Sequence, residues 1–309
     1  MSGRYFAFVT GASRGFGKQV AQELVREIAP ERPLDVLLTA RSKSGLQSTA
    51  DAIERVIRDL PHPKDVTIRQ EVIDLEELDT LEKRLSDALQ GIDPGRYSRA
   101  LLINNAGSFP YVGPVDKRSS LASLRTEVDL NVTSTFWVTS YFARIFGEPQ
   151  PCTEGKASEG DHEGYEGRES EHGERDGSPT TPANNVVVNV SSLAALKPGG
   201  LMATYCAGKA ARDMFHSSFA LEQGGMKVLN YSPGPMDTEM TKPIREQVLG
   251  FGRNTMVDIE ESAHRCVRLA IGGAFPTGAH IDFYDQEAVD CSTSRDDAIS
   301  QDGLPPTGS

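Results

Sequence analysis

The stretch that decides the fold is YFAFVTGASRGFGKQVAQELV, residues 5–25. It opens with a short apolar run, turns at three glycines and continues with apolar residues at helical spacing. Gly11, Gly15 and Gly17 follow the pattern GxxxGxG. A turn without side chains lets the backbone approach a pyrophosphate, and the N-terminus of the next helix attracts the negative charge. A glycine cluster between a strand and a helix therefore predicts a dinucleotide site.

The rest of the chain repeats the alternation of strand and helix. Further strands are expected at 34–42, 65–75, 99–107, 185–192, 226–234 and 278–285. Helices are expected at 52–60, at 78–89, over one long region at 121–147, and around Tyr205. Apolar strands that alternate with helices predict parallel βαβ units. We therefore expect an α/β fold, a doubly wound Rossmann-type parallel sheet of about seven strands with helices on both faces.

Charge and composition exclude several classes of protein. The 309 residues carry a formal net charge of −12, of which −7 falls in residues 148–182 and −4 in residues 286–309. The remaining body is nearly neutral, so no basic surface argues for nucleic acid or a membrane surface. No apolar run reaches the roughly 20 residues that span a bilayer. We expect no nucleic-acid partner and no membrane partner.

The acidic segments also set the domain boundaries. Residues 148–182 are rich in Gly, Pro and Glu, a composition that buries too little apolar surface to order. We expect one domain over 1–285, interrupted by a disordered acidic insertion at 148–182 and followed by a disordered tail at 286–309. His162 and His172 lie among carboxylates in the insertion but lack tight ligand spacing, so no metal site is expected.

The cysteines indicate the compartment. Cys152, Cys206, Cys266 and Cys291 form no CxxC pair and have no neighbouring histidine at metal-ligand spacing. Free thiols are typical of a reducing compartment. The residues before the first glycine turn also lack the long apolar region of a signal peptide. The sequence thus predicts a cytoplasmic protein.

The stretch YCAGKAARDMF carries the chemistry. Tyr205 and Lys209 are four residues apart and share one helix face. Alone, such a pair is most often an exposed polar face. Four further motifs accompany it: NNAG at 104–107, DLNVTS with Asn131, NVSS at 189–192, and PGPMDT at 233–238.

Together with the glycine turn, these motifs in this order resemble the short-chain dehydrogenase/reductase family. The resemblance implies an oxidoreductase with a catalytic Asn131, a catalytic serine, Tyr205 and Lys209. The family's serine precedes its tyrosine by thirteen residues, which gives Ser192, with Ser191 as the alternative. A charged lysine lowers the pKa of a nearby phenol, so we expect Lys209 to activate Tyr205 as the proton donor to a carbonyl oxygen.

The resemblance also implies where the cofactor binds. The second strand ends in TARS without an acidic residue, and Arg14 and Arg41 flank the expected 2′ position. An arginine there accommodates a 2′-phosphate, so we expect NADP(H) rather than NAD(H). The full set of expected cofactor-binding residues is Gly11, Ala12, Ser13, Arg14, Gly15, Phe16, Gly17, Arg41, Ser42, Asp74, Leu75, Asn104, Lys209, Met236, Asp237, Thr238, Glu239, Met240 and Thr241.

Three stretches narrow the substrate. YCAGKAARDMF, VLNYSPGPMDTEM and GAHIDFYD resemble a branch of the family that reduces a ketone on a pterin. The resemblance implies that Asp282 anchors the pterin ring. The expected substrate-binding residues are Ser192, Leu193, Tyr205, Gly234 and Asp282. A dicarbonyl reductase on the same scaffold is the alternative, and a catalytically silent NADP-binding interaction protein is a third. The family resemblance further implies a homodimer.

Overall fold

The structure, a computed structural model, describes residues 3–147, 185–247 and 256–285. Strands and helices alternate throughout these ranges. The strands are β1 (Arg4–Thr10), β2 (Leu34–Ala40), β3 (Val66–Val72), β4 (Tyr97–Asn104), β5 (Asn185–Val190), β6 (Met226–Ser232) and β7 (Ala279–Asp282). The helices are α1 (Gly15–Ile28), α2 (Lys43–Asp59), α3 (Leu78–Leu89), α4 (Leu121–Val128), α5 (Ser134–Phe146), α6 (Ala203–Glu222), α7 (Lys242–Gln247) and α8 (Ile259–Gly272).

The seven strands of the described ranges form one parallel sheet in the order β3-β2-β1-β4-β5-β6-β7. The expected doubly wound sheet is confirmed. Its strand order reverses between β1 and β4, which end at Thr10 and Asn104. Ligands of such sheets bind outside the carboxyl ends of the strands, at this reversal. The topology therefore places a binding site beyond these two residues.

The core has two halves, one on each face of the sheet. Successive side chains of a strand point to opposite faces. Along β1, Ala7 and Val9 join one buried cluster, whereas Phe6 and Phe8 join the other. Helices α1, α2 and α8 cover the first face, and α3, α5 and α6 cover the second. Burial on both faces is why the strands read as almost uninterrupted apolar runs.

Two helical regions differ from the sequence expectation. The helix expected at 52–60 begins at Lys43, because the Ser42 hydroxyl accepts a hydrogen bond from Gly45 N at 3.0 Å and caps its first turn. The polar residues of that turn hid the helix start. The region 121–147 is divided by a π turn at Asp129–Thr133, which lies between α4 and α5. Such π turns often mark functional sites, and this one carries Asn131.

Two segments of the expected domain organisation, the acidic insertion at 148–182 and the tail at 286–309, lie outside the described residues. Their expected disorder stays a prediction. Among the helices that are described, none is long and apolar enough to cross a membrane. Over the same ranges, no group of three or more His, Cys, Asp or Glu side chains is arranged to hold a metal ion.

Candidate active site

A cavity of about 970 Å³ opens at the carboxyl ends of the strands, where the strand order reverses. The glycine turn forms one wall. Gly11 and Gly15 have φ values of +64° and +56°, which L side chains rarely adopt. A Cβ on Gly11 would also lie 2.9 Å from the Cα of Ala106. The turn is therefore closed to any other residue, and its backbone is open to a pyrophosphate at the start of α1.

Most of the expected site residues line this cavity. From the cofactor set these are Gly11, Ser13, Arg14, Gly15, Phe16, Arg41, Asp74, Leu75, Lys209, Met236, Asp237, Thr238, Glu239, Met240 and Thr241. From the substrate and catalytic sets they are Ser192, Leu193, Tyr205 and Gly234. The cavity thus joins the glycine turn to the Tyr205 helix in a single space.

Tyr205 lies in the first turn of α6, facing the cavity. The ring of Phe109 packs edge-on against it, with centroids 4.7 Å apart. Lys209, one turn further along and nearly buried, has its Nζ 5.6 Å from the centre of the Tyr205 ring. The same Nζ donates to the Val190 carbonyl oxygen at 2.7 Å. This bond fixes the ammonium at the end of β5, beside the serines that follow that strand.

Ser192 and Ser191 have different partners. Ser192 hydrogen-bonds toward Tyr205, and its Oγ also accepts from Ala194 N at 3.2 Å. Ser191 is buried and donates instead to Asp213 Oδ1. The geometry therefore favours Ser192 as the serine next to the reacting oxygen, and Ser191 as a support for the strand end.

The pKa values of the pair depend on burial and on a second cation. Burial raises the pKa of Tyr205 above its usual value, whereas the Ser192 hydrogen bond and the charge of Arg212 lower it. Burial, followed by the Arg212 charge, lowers the pKa of Lys209 well below its usual value. Among the nearby cations, Arg212 lowers the pKa of Tyr205 by its charge. The sequence analysis did not anticipate Arg212, and the expected contribution of Lys209 stays a prediction.

Asn131 lies in the π turn, behind the cavity wall. Its Oδ1 accepts from Ser108 N at 2.9 Å and its Nδ2 donates to Ser108 O at 3.0 Å. The side chain is nearly buried. The extra residue of a π turn changes the direction of the side chains around it. Here Asn131 is directed to the loop after β4, which supports Ser108 and Phe109 on the cavity wall.

Six expected residues are absent from the wall of this cavity: Ala12, Gly17, Ser42, Asn104, Asn131 and Asp282. Ser42 caps α2. Asn104 is buried and donates to Thr139 Oγ1 at 2.7 Å, so its side chain is directed away from the cavity. Its neighbour Asn105 lines the wall instead and donates to the carbonyls of Thr10 and Gly11 at 3.0 and 3.1 Å. Strand alternation explains this exchange between two adjacent asparagines.

Asp282 lies one strand beyond the wall. It ends β7 opposite Ser232 of β6, and Ser232 lines the cavity. The Asp282 Oδ1 accepts from Tyr284 N at 3.1 Å. Its Oδ2 is buried without a hydrogen-bond partner among the described residues. A buried carboxylate oxygen of this kind is costly unless a donor reaches it.

The nucleotide end of the cavity carries the two arginines. Arg14 lies just before the first turn of α1 and lines the cavity. Arg41 follows β2, is 58% exposed and pairs with Glu76 at 2.8 Å. Glu76 also lines the cavity and was not among the expected residues. The backbone N–H of Glu76 donates to Asp74 Oδ1 at 3.0 Å.

A loop between β4 and α4 lies on the far side of the cavity, and hydrogen bonds join it to the start of α6. Gly113 N donates to Leu201 O at 2.9 Å. Arg118 Nη2 donates to Glu127 Oε2 at 2.6 Å and to Thr204 Oγ1 at 3.2 Å. Since Thr204 precedes Tyr205, this loop and the catalytic turn are held together. The sequence offered no signal for this contact, because the partners are far apart along the chain.

The strand order, the glycine turn and the Ser192–Tyr205–Lys209 arrangement define a dinucleotide-dependent oxidoreductase, and comparison with known proteins gives the family. A profile of the short chain dehydrogenase family matches residues 5–151 and 181–249. The chain belongs to this family, whose members interconvert C=O and CH–OH groups, and the expected enzyme class is confirmed.

Relatives within the family show which reductases the chain resembles. The chain is 32% identical to a sepiapterin reductase of Xenopus laevis over 92% of this chain and 97% of the relative. It is 31% identical to the sepiapterin reductase of Rattus norvegicus, over 90% and 95%. It is also 30% identical to a benzil reductase ((S)-benzoin forming) of Bacillus subtilis (strain 168), over 77% and 76%.

Solved structures agree on the fold. An actinorhodin polyketide ketoreductase with NADPH superposes with a TM-score of 0.65 at 21% identity, over 92% of this chain and 97% of that one. At this identity the likeness concerns the architecture. Together with the glycine turn and the family, it supports a nicotinamide cofactor in the cavity.

Proposed function

We propose that this protein is an NADPH-dependent carbonyl reductase of the sepiapterin reductase type, which carries out the final ketone reductions of tetrahydrobiopterin synthesis. The observation that carries the proposal is the convergence of Ser192, Tyr205 and Lys209 on a cavity that continues from the glycine turn. The likeness to sepiapterin reductases over 92% of the chain supports the substrate class.

The side chains divide the work of the reduction. A bound nicotinamide supplies the hydride that goes to the carbonyl carbon. Tyr205 gives its phenolic proton to the carbonyl oxygen, so that the ketone becomes an alcohol. Ser192, which hydrogen-bonds toward Tyr205, donates to the same oxygen and stabilises its developing charge. Lys209, whose Nζ donates to the Val190 carbonyl oxygen, would hold the ribose of the cofactor.

The cofactor choice rests on the nucleotide end of the cavity. Arg14 and Arg41 both line it, and no acidic residue ends β2 to bind a ribose hydroxyl. Two guanidinium groups favour the 2′-phosphate of NADP(H). Glu76 competes for Arg41 in the absence of a phosphate, since the two pair at 2.8 Å.

The substrate choice rests on Asp282. A pterin presents adjacent N–H donors on its 2-aminopyrimidinone ring, which suit a carboxylate. The unpartnered Oδ2 of Asp282 is an acceptor in need of such a donor. Asp282 pairs across the strands with Ser232 of the cavity wall, and Gly234 of the following loop also lines the cavity. To reach Asp282, the pterin ring would have to enter the cavity wall beside Tyr284.

One experiment tests this function. NADPH oxidation is followed with sepiapterin and with a panel of diketones, for the wild type and for Asp282→Asn. We expect turnover of sepiapterin, strongly reduced by Asp282→Asn, with diketone turnover nearly unchanged. Glu82→Gln, at an exposed position on α3 away from the cavity, is the control for a general loss of charge. Sepiapterin turnover that is absent in the wild type, or unaffected by Asp282→Asn, would contradict the proposal.

A second candidate is a reductase of simple dicarbonyls. The 30% identity to a benzil reductase favours it. Such an enzyme needs Ser192, Tyr205 and Lys209 but has no use for a buried carboxylate at Asp282. Diketone turnover without sepiapterin turnover in the same panel would select this candidate.

We also propose a homodimer in the cytoplasm. Helix α6 exposes two large apolar side chains, Met214 at 69% and Leu221 at 89%, and α5 packs beside it through the stacked rings of Phe136 and Phe215. An α5–α6 face of this kind suits a two-fold contact with a second copy. Light scattering at micromolar concentration tests it, and a monomer would contradict it. The free thiols of Cys206 and Cys266 support a reducing compartment.

A further inference from the structure

Helix α6 carries a stripe of titratable side chains beyond Tyr205 and Lys209. Arg212 and His216 continue the same face at spacings of three and four residues. Both are fully buried, and Arg212 is the largest of the fully buried side chains in the described ranges. A buried arginine is expensive unless its donors are satisfied and its charge has a use. The proposed reduction gives the charge of Arg212 one use, at the Tyr205 phenol, but does not explain where its donors are directed.

The guanidinium of Arg212 holds the end of β4 and the turn after it. Its Nη2 donates to Asn104 O at 2.6 Å and its Nη1 to Ala106 O at 2.9 Å. Its Nε donates to Asn189 Oδ1 at 2.8 Å on the neighbouring strand β5. The rigid fork of arginine suits two carbonyls at once, which a lysine ammonium on a single flexible stem does not.

That turn continues to the cofactor side of the cavity. Ala106 and Gly107 line the cavity, and Asn105 between the two gripped carbonyls donates to Thr10 O and Gly11 O. A continuous set of hydrogen bonds therefore runs from the catalytic helix, through Arg212 and Asn105, to the glycine turn. A displacement of α6 relative to the cofactor would have to break this connection.

Arg212 also sets the charge around Tyr205. Burial lowers its pKa to about 10, so it stays cationic at neutral pH. The other titratable groups that act on Tyr205 or on Arg212 are Cys206 and Asp213 on α6, and Arg212 itself acts on Lys209 and His216 of the same helix. Asp213 pairs in turn with His280 of β7 through Nδ1 at 2.6 Å, and the pKa of His216 is lowered by burial to about 3. The strand and turn that Arg212 grips contribute only carbonyls and amides.

We propose that Arg212 is a positioning residue for proton transfer at Tyr205. It fixes the Asn104–Gly107 turn against the catalytic helix, and it supplies a positive charge that does not depend on the protonation of Lys209. The inference rests on the proposed reduction at Tyr205. It predicts two separable effects. The hydrogen bonds to the Asn104–Gly107 turn affect cofactor affinity, and the charge of Arg212 affects the pH dependence of catalysis.

Two variants separate the grip from the charge. Arg212→Lys keeps a cation and loses one carbonyl contact, whereas Arg212→Gln keeps polar contacts and loses the cation. His216→Gln, one turn further on, is the matched control, because it alters the same buried face without removing a cation at neutral pH. Cofactor affinity is measured by NADPH fluorescence. Rates are measured against pH in both directions, with the ketone that turns over fastest in the panel above and with its alcohol.

In the oxidation direction Tyr205 accepts the proton and works as the phenolate. Loss of the Arg212 cation raises the pKa of the phenol, so the rise of the oxidation rate with pH moves to higher pH in Arg212→Gln. At pH values below the rise, each unit by which the pKa of the phenol increases lowers the oxidation rate about tenfold. We expect the rise to stay in place in Arg212→Lys and in His216→Gln. We expect NADPH affinity to weaken, by more than about threefold, in Arg212→Lys because one carbonyl is released.

The outcomes decide the inference independently of the function. An unmoved pH rise in Arg212→Gln, or an equal move in Arg212→Lys, would overturn the charge role. Unchanged NADPH affinity in Arg212→Lys would show that the hydrogen bonds of Arg212 to the turn do not support cofactor binding. If Arg212→Gln does not fold, Arg212→Lys alone decides the inference. Tyr205→Phe is assayed alongside. If it retains the wild-type rate, the proposed function fails; if it is inactive while the Arg212 variants behave as wild type, only this inference fails.

Discussion

The Lys209 ammonium lies 5.6 Å from the centre of the Tyr205 ring and is held there by the Val190 carbonyl oxygen at 2.7 Å. Tyr205→Phe removes the proton donor and leaves that arrangement in place. We expect ketone reduction to be abolished and NADPH binding to be retained. Lys209→Ala removes the cation and a buried hydrogen bond, so both turnover and cofactor affinity should fall.

The measurement is steady-state turnover together with NADPH fluorescence titration. Cys206→Ser is the control, since Cys206 neighbours Tyr205 but does not line the cavity. Near-wild-type turnover in Tyr205→Phe would remove this residue from the mechanism. Intact cofactor affinity in Lys209→Ala would confine Lys209 to the chemical step.

The second prediction concerns the nucleotide end. If Arg14 and Arg41 bind the 2′-phosphate, replacing both with Ala should raise the KM for NADPH by roughly tenfold or more, because charge-assisted hydrogen bonds are lost. The KM for NADH should hardly change, since NADH has no such phosphate. Arg55→Ala, on the exposed side of α2, is the control. Equal losses with both cofactors would mean that the arginines serve the pyrophosphate or the fold.

Much of this site could be predicted because its contacts follow from chain order. The glycine turn, the Tyr205–Lys209 pair and the residues after β6 each lie at the carboxyl end of a strand, and parallel topology brings these ends together. Apolar runs located the inner strands of the sheet for the same reason: both faces of these strands are buried. The sequence analysis therefore found the site residues whose positions depend on local sequence and on the strand order.

The remainder depends on contacts between distant parts of the chain. Nothing in the sequence distinguishes Asn104 from Asn105 until strand alternation is fixed by the structure. Arg212 follows Lys209 as an ordinary helical residue, and only the fold supplies the carbonyls that it grips. The π turn at Asn131 has no sequence signature, because it arises from packing of α4 and α5 against neighbouring elements.

The third prediction concerns acid stability. His216 is fully buried, and burial lowers its pKa to about 3 from an ordinary value of 6.5. Between these values the unfolded chain binds a proton that the folded chain excludes. The contribution of His216 to the free energy of unfolding therefore grows as the pH rises across this window and is fully present above about pH 6.5. It decreases as the pH falls, by up to about 1.4 kcal/mol per pH unit.

His216→Gln removes this dependence. We expect the variant to be less stable than the wild type at pH 8, because buried hydrogen bonds are lost, but to lose less stability on acidification to pH 4.5. Urea unfolding at several pH values measures both slopes. Parallel slopes for the wild type and His216→Gln would show that His216 is protonated in the folded protein.

The last prediction concerns the acidic insertion, whose attachment points are described although the insertion itself is not. It joins α5, which ends at Phe146, to β5, which begins at Asn185. Asn185 Nδ2 donates to Phe146 O at 2.7 Å, so the two ends are already fastened together. They lie at the amino end of β5, whereas Ser192 and the cavity lie beyond its carboxyl end.

We therefore expect that replacing residues 150–181 with a short Gly-Ser link leaves turnover within about twofold and stability unchanged or slightly better, since closing a longer loop costs only about 0.6 kcal/mol per doubling of its length. Steady-state kinetics at low and high salt test this. A change confined to low salt would indicate that the charge of −7 acts on the anionic cofactor, an effect screened beyond about 10 Å at ordinary salt. A large loss of turnover at both salt concentrations would mean that the insertion reaches the active site, against the position of its two ends.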